Sequence, residues 1–134
     1  MTEVFVTHQK EDAILWLTLN RPERRNPLSS EMIAALSNAI EMGNEDPAVR
    51  VMVIRSSGPA FSAGHDLTEI QRRSEEDSAK RQERVKALLE ACAALMTRIM
   101  HAPKPVIACV QGIASAAGCQ LVSACGLAIA SEPA

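Results

Sequence analysis

Two stretches of small residues frame the chemistry open to this chain. One is Phe61-Ser62-Ala63-Gly64-His65-Asp66, after an apolar run ending near Arg55; the other is Gly112-Ile113-Ala114-Ser115-Ala116-Ala117-Gly118-Cys119-Gln120, directly after VIACV. Residues this small let another molecule approach the backbone closely, where a buried layer is normally filled with Leu, Ile or Val. Each stretch reads as a loop between the carboxyl end of a strand and the start of a helix, where free N–H groups and the positive end of the helix dipole point outward. Two such N–H groups converging on one oxygen form an oxyanion hole, which acts on charge developing at a carbonyl oxygen. Losing one donor costs about 3 to 4 kcal/mol of barrier. Small-residue loops also serve tight helix packing, and spacing alone leaves both readings open.

The side chains nearby divide in the same way. His65 has the intrinsic pKa for acid/base work, and Asp66 follows it; alternatively His65 supplies only its N–H and Asp66 caps the next helix. Glu69 and Glu90 are within sequence reach of such a site, but their spacing does not single them out, and His8 and His101 fall at element ends. Ser115 sits in Gly112-x-x-Ser115-x-x-Gly118, which does not match the G-x-S-x-G elbow of serine hydrolases, and no His lies at a motif position to activate it. Cys92, Cys109, Cys119 and Cys125 lie in apolar surroundings without C-x-x-C spacing, which points to reduced core cysteines rather than a metal or redox role.

The elements that position these loops are legible as alternating strands and helices. EVFVTH (3–8) and AILWLTL (13–19) are β-rich and separated by the turn-like Gln9-Lys10-Glu11-Asp12, which predicts an antiparallel pair. After the break at 20–27, Ser29 can cap a helix in which Met32, Ala35, Leu36, Ala39, Ile40 and Gly43 recur at helical spacing, ending near Gly43-Asn44. VRVMVIRS (49–56) is a buried strand, followed by a loop over 57–66. The stretch from Gln71 to Lys86 is dense in mixed charge: a solvated helical face, or a source of phosphate ligands. Val85, Leu88, Leu89, Cys92, Leu95, Met96 and Ile99 trace one face of a long helix, from about Glu76 to Met100, stopped by His101-Ala102-Pro103. PVIACV (105–110) is a second buried strand. The order ββ, α, β, α, β, α, β describes an α/β architecture in one domain.

Bulk properties exclude several classes. A chain of 134 residues is the length of one domain, its formal net charge of -2 leaves no global basic field, and 2% aromatic residues supply few stacking platforms for bases. Nucleic acid is not expected as a partner. No apolar run approaches the roughly 20 residues of a membrane helix, and the N-terminus lacks a basic segment followed by an apolar one. The expectation is a soluble, cytoplasmic protein that does not engage membranes.

Three motifs in order, Leu19-Asn20-Arg21-Pro22 with Arg25-Asn26-Pro27-Leu28-Ser29, then Ala60 through Leu67, then Lys104-Pro105-Val106-Ile107-Ala108 with Gly112 to Cys119, resemble the crotonase superfamily, also called the enoyl-CoA hydratase/isomerase family. They span nearly the whole chain. The resemblance implies a crotonase-like spiral of ββα units, here ending before the family's C-terminal helical region, and assembly as a trimer or hexamer once the chain is completed. It implies an acyl-CoA thioester as substrate, with hydration of a 2-enoyl-CoA as the reaction; coenzyme A is part of that substrate, and no separate cofactor or metal is expected. By position the backbone N–H groups of His65 and Ala117 would be the oxyanion donors. The segments holding Ser62, Ala63, Gly64, Asp66, Leu67 and Gly118 would contact the substrate, with Arg24 and Arg25 near its phosphates or pantetheine, though these two could equally be solvated loop charges. Gln120 occupies the position of a family catalytic Glu. An amide has no proton to exchange near neutral pH, so it orients water but does not act as the base. The resemblance therefore also admits an acyl-CoA binder without turnover.

Overall fold

Alternation of Leu15, Leu17 and Leu19 with Ile14, Trp16 and Thr18 makes Ile14–Leu19 a strand with one fully apolar face, and the sheet is built outward from it. In this computed structural model, which describes residues 3–71 and 75–134, that strand (β2) pairs antiparallel with β1 (Val6–Glu11) and parallel with β3 (Val51–Ser56). Strands β5 (Val106–Val110) and β7 (Leu127–Ala130) extend the sheet in parallel, giving the order β1-β2-β3-β5-β7. Helix α1 (Ser30–Glu45) connects β2 to β3, and α3 (Ser78–Met100) precedes β5. Their apolar stripes meet Leu15, Leu17, Leu19, Met52, Ile54, Val106, Ala108 and Val110 in one cluster with Met32, Leu36, Ile40, Leu95 and Ile99. The expected α/β order is therefore present.

A second, smaller sheet was not anticipated. Ala60–Ser62 (β4) and Ile113–Ala114 (β6) form a parallel pair that follows the carboxyl ends of β3 and β5. Both fall inside segments read from sequence as loop, because three and two residues carry no periodicity. Helix α2 (Leu67–Ile70) and helix α4 (Ala117–Ala124) follow the two short strands, so Gly118 is the second residue of a helix rather than part of a loop.

Other boundaries move for identifiable reasons. The first hairpin turns at Asp12-Ala13, not at Gln9–Asp12: Asp12 adopts φ 54°, which Asp tolerates, and the ladder runs down to Glu11 opposite Ile14. Ser29 caps α1, its Oγ accepting from Met32 N–H at 3.2 Å. The helix nevertheless continues past Gly43 to Glu45, because Gly43 is a packing position there: a Cβ on it would overlap Met52 and Leu15. Cys92 is buried, but Cys119 is exposed on α4, which corrects the reading of all four cysteines as core residues. Of the charged stretch, Arg72, Arg73 and Ser74 lie outside the described residues. Among the described residues no helix is long and apolar enough to cross a membrane.

The carboxyl end of α1 carries no basic residue of its own in its last turn. Lys104 supplies one from across the chain, donating from Nζ to Gly43 O at 2.7 Å and to Asp46 O at 2.5 Å. This ties the entry to β5 to the end of α1 and places a cation at the negative end of the dipole. Replacing Lys104 by Met should lower unfolding free energy by about 1.5–3 kcal/mol, the worth of a hydrogen bond to a charged group. Urea denaturation of the full-length protein reads this directly, and an unchanged midpoint would refute it.

Candidate functional site

The two small-residue stretches lie side by side. Ser115 N–H donates to Ser62 O at 3.0 Å, continuing the β4–β6 pairing, and a Cβ on Gly118 would overlap that same Ser62 carbonyl. Gly112 is as close to Pro59. Part of what approaches these glycines is thus the neighbouring loop, and the packing reading is correct for Gly112 and Gly118. At the tip, a Cβ placed on Gly64, whose φ is +93°, would lie 3.2 Å from the amide nitrogen of Ala117. His65, the next residue, is therefore beside Ala117.

Neither the His65 nor the Ala117 N–H donates to another backbone group among the described residues, whereas those of Gly118 and Gln120 do and that of Gly64 finds a side-chain acceptor. Gly64 N–H reaches Ser62 Oγ at 3.3 Å, Gly118 N–H reaches Ser115 O at 2.8 Å and Gln120 N–H reaches Ala116 O at 3.1 Å. Ala117 is the first residue of α4, where an N–H has no partner within the helix. Just before it, Ala116 holds φ 51° and ψ −122°, a conformation that a residue with a Cβ rarely adopts. This backbone reversal turns the chain sharply from β6 into α4.

The first loop is anchored by buried polar groups. Asn26, fully buried and itself at φ 51°, donates from Nδ2 to Ser57 O at 2.9 Å and Ala60 O at 3.0 Å, and its Oδ1 accepts from Arg21 N–H at 2.7 Å. Ser62 is also fully buried, its Oγ donating to Asn26 O at 2.8 Å. Ala63 N–H donates to Arg25 O at 2.9 Å and Leu28 N–H to Gly64 O at 2.7 Å, so the 25–28 segment runs along the 62–64 loop. That brings Arg24 and Arg25, both exposed, to the same edge of the molecule as Gly64. An open cleft of about 700 Å³ beside them is lined by Arg21, Arg24, Ser29, Glu31 and Asp66, among others.

The remaining residues separate into supports and free groups. Asp66 is the N-cap of α2: its Oδ1 accepts from Thr68 N–H at 3.0 Å and from Thr68 Oγ1 at 2.7 Å, and the hydroxyl contact foremost holds its carboxyl below the ordinary range. Arg24 approaches Asp66 only to 4.0 Å. The His65 ring sits with Nδ1 3.3 Å from Leu28 O, a contact that favours the tautomer with the proton on Nδ1. Gln120 is exposed, on the first turns of α4 next to exposed Cys119, and Leu67 projects to solvent. Burial raises the Cys92 thiol pKa and pushes that of Cys125 to about 12, so neither is a nucleophile at neutral pH. Among the described residues no group of His, Cys, Asp and Glu is placed to hold a metal ion. Asn26, Glu69 and Gln111 were not foreseen as supports; Asn26 stood in the sequence only as part of the Arg25-Asn26-Pro27-Leu28-Ser29 motif, with no structural role attached.

Comparison with known proteins resolves what the geometry leaves general. The model of the enoyl-CoA hydratase/isomerase family matches residues 9–134. The chain belongs to that family. It is 40% identical over 124 residues to enoyl-CoA hydratase domain-containing protein 3, mitochondrial, of Danio rerio, covering 92% of this chain and 41% of that protein. It is 36% identical over 132 residues to 2,3-dehydroadipyl-CoA hydratase of Escherichia coli, covering 98% of this chain and 48% of that one. The crystal structure of human enoyl-CoA hydratase domain-containing protein 3 superposes with a TM-score of 0.87 at 34% identity, over 95% of this chain and 48% of that one. The fold is the crotonase fold, and the chain spans about half the length of these relatives. The Danio rerio relative is named as a mitochondrial protein, so the cytoplasmic expectation gains no support from it.

Ala116 offers a check on the site's geometry. Glycine removes the Cβ that makes φ 51° unfavourable, so Ala116→Gly should stabilise the protein by about 1 kcal/mol despite glycine's greater freedom when unfolded. A loss of stability on thermal or urea unfolding would mean that Ala116 is not in this strained conformation.

Proposed function

We propose that the intact protein binds an acyl-CoA thioester with its carbonyl oxygen between the His65 and Ala117 N–H groups. The observation that carries this reading is the pair of adjacent amides left without backbone acceptors at the tips of two loops that are otherwise hydrogen-bonded to each other. Polarising the thioester carbonyl draws electron density from the conjugated double bond of a 2-enoyl-CoA. Water then adds at the β-carbon and the α-carbon takes a proton, with the oxyanion held in the enolate-like transition state. Both donors are main-chain groups, so a His and an Ala at these positions are compatible with the role. Arg24 and Arg25 stand at the loop edge where forked donors suit phosphate oxygens of coenzyme A.

Gln120 supports hydration in a restricted form. From the exposed side of α4 its amide can donate to and accept from water, but it takes no proton, so positioning is what this chain contributes at that point. The names of relatives, among them 2,3-dehydroadipyl-CoA hydratase and 1,2-epoxyphenylacetyl-CoA isomerase, agree in the thioester and differ in the reaction. That agreement supports the carbonyl-binding element as the common feature. Assembly as a trimer of the intact protein is part of the proposal.

Two experiments on the full-length protein test it. With crotonyl-CoA labelled at the thioester carbonyl, infrared difference spectra should show the C=O band shifted to lower frequency on binding. His65→Ala should keep the shift, while His65→Pro, which removes the N–H, should abolish it and lower any turnover about 10²–10³-fold. Equal spectra for the Ala and Pro variants, with both folded, would remove His65 N–H from the site. Gln120→Glu supplies a group able to accept a proton and should raise crotonyl-CoA hydration roughly tenfold, below the 10²–10⁴ of a complete acid/base pair. No gain would show that proton transfer at this position does not limit the reaction.

A further inference from the structure

Helix α2 begins two residues after His65 and is one turn long, with no buried residue of its own. An isolated turn of this length does not persist in water, since nucleation fixes several dihedrals for one hydrogen bond. Its position is set by polar staples from three sides. Asp66 caps its start. Glu69 turns its carboxylate to the first residue of α1, accepting from Ser30 N–H at 3.0 Å and from Ser30 Oγ. At its end, two arginines from the first turns of α3 collect the carbonyls that the helix leaves free: Arg81 Nε donates to Ile70 O at 3.2 Å, and Arg84 donates from Nη1 to Glu69 O and from Nη2 to Gln71 O at 2.9 Å.

Arg84 is itself held rigidly. Its Nε and Nη2 donate to the two carboxylate oxygens of Glu76 at 2.8 and 2.9 Å, and the pair is largely withdrawn from solvent, with 19% and 10% of the side chains exposed. A planar guanidinium pinned on one edge by a carboxylate offers its remaining donors in fixed directions. Those donors meet the Glu69 and Gln71 carbonyls at the C-terminal end of α2, with Arg81 on the Ile70 carbonyl between them, where a positive charge is also favoured by the helix dipole. The charged segment first read as solvent-facing or as a source of phosphate ligands thus places two of its arginines on backbone carbonyls.

We infer that Arg84, oriented by Glu76, is a positioning residue that fixes α2 and through it the direction of the His65 N–H, so that the strength of carbonyl polarisation is set from α3. The inference rests on the acyl-CoA reading for its final step, but the hold on α2 stands apart from it. Ile70 is the one residue of α2 that packs, half-buried, against the apolar core; the rest of this short element is kept in place by directional bonds.

Amide hydrogen exchange and carbonyl infrared spectra of the full-length protein test the two steps separately. In Arg84→Gln the amides of Glu69 and Gln71, which close the α2 turn on Asp66 O and Leu67 O, should exchange at least about tenfold faster while those of β2 and β3 keep their protection. With labelled crotonyl-CoA the bound C=O shift should shrink by about half, an effect that loss of global stability alone does not produce. Arg84→Lys keeps the charge without the fork and should show the same changes at smaller amplitude; it carries the test if Arg84→Gln fails to fold. Unchanged exchange at Glu69 and Gln71 overturns the hold on α2. Faster exchange with an undiminished carbonyl shift overturns the link to His65. A wild-type protein that binds crotonyl-CoA without shifting its carbonyl overturns the oxyanion reading and the link, and leaves the exchange data to decide the hold on α2.

Discussion

The buried side-chain amide of Asn26 is the constraint on which the site depends. A primary amide removed from water is tolerated only when its donors and acceptor are satisfied, and an unmet buried polar group costs about 1–3 kcal/mol. Asn26 meets the condition by joining its own loop, at the Arg21 amide, to the turn after β3, at the Ser57 and Ala60 carbonyls. Its own carbonyl receives the Ser62 hydroxyl, whose oxygen in turn accepts from Gly64 N–H. The chain entering α1, the turn after β3 and the loop carrying His65 therefore move as one body. Gln111 reaches the same turn from the second loop, donating from Nε2 to Gly58 O and Ala60 O, although its buried Oε1 has no partner among the described residues.

This polar staple sits at the carboxyl end of a sheet held together by a different force. Around Leu17, Leu19, Met52, Ile54 and the stripes of α1 and α3, burial is continuous and apolar, and positions tolerate change as long as volume is kept. Two parallel strands leave that core side by side, so the chain segments that follow β3 and β5 are adjacent before any specific contact forms. Polar bonds then decide the relative placement of the loop tips. Apolar packing is poorly suited to that task, because it specifies volume rather than direction.

The division explains what could be read in advance. Long periodic segments were legible: the helices at α1 and α3, the alternation in β2 and the apolar runs of β3 and β5 each repeat one signal over five or more residues. The glycines at 112, 64 and 118 were legible as sites of close approach, though not that the approaching group was largely the other loop. The strands of two and three residues, β6 and β4, left no trace, since their existence depends on partners distant in sequence, whereas the start of α2 was signalled by its cap, Asp66. The hairpin turn was displaced because Asp12 takes positive φ in a two-residue connection, where the polar run Gln9–Asp12 suggested a longer one. Arg81 and Arg84 were hidden for a further reason: a cation in a run of mixed charge looks solvated until the carbonyls it serves are located.

In the proposed site the central donors are amides, which separates what must be kept from what may vary. The N–H that the proposal requires at His65 and Ala117 is present in every residue but proline, so the constraint falls on φ and on room: Gly64 at positive φ, Ala116 in a reversed conformation, Gly118 against Ser62. The side chain that would determine the fate of a polarised thioester, Gln120, stands one helical turn further on, exposed and without a structural duty. It can be exchanged between an amide and a carboxylate without disturbing the backbone that is proposed to hold the carbonyl. Relatives that share the fold and differ in the reaction they are named for are what the proposed arrangement allows, in which carbonyl recognition would be built into the main chain and proton transfer carried by replaceable side chains around it.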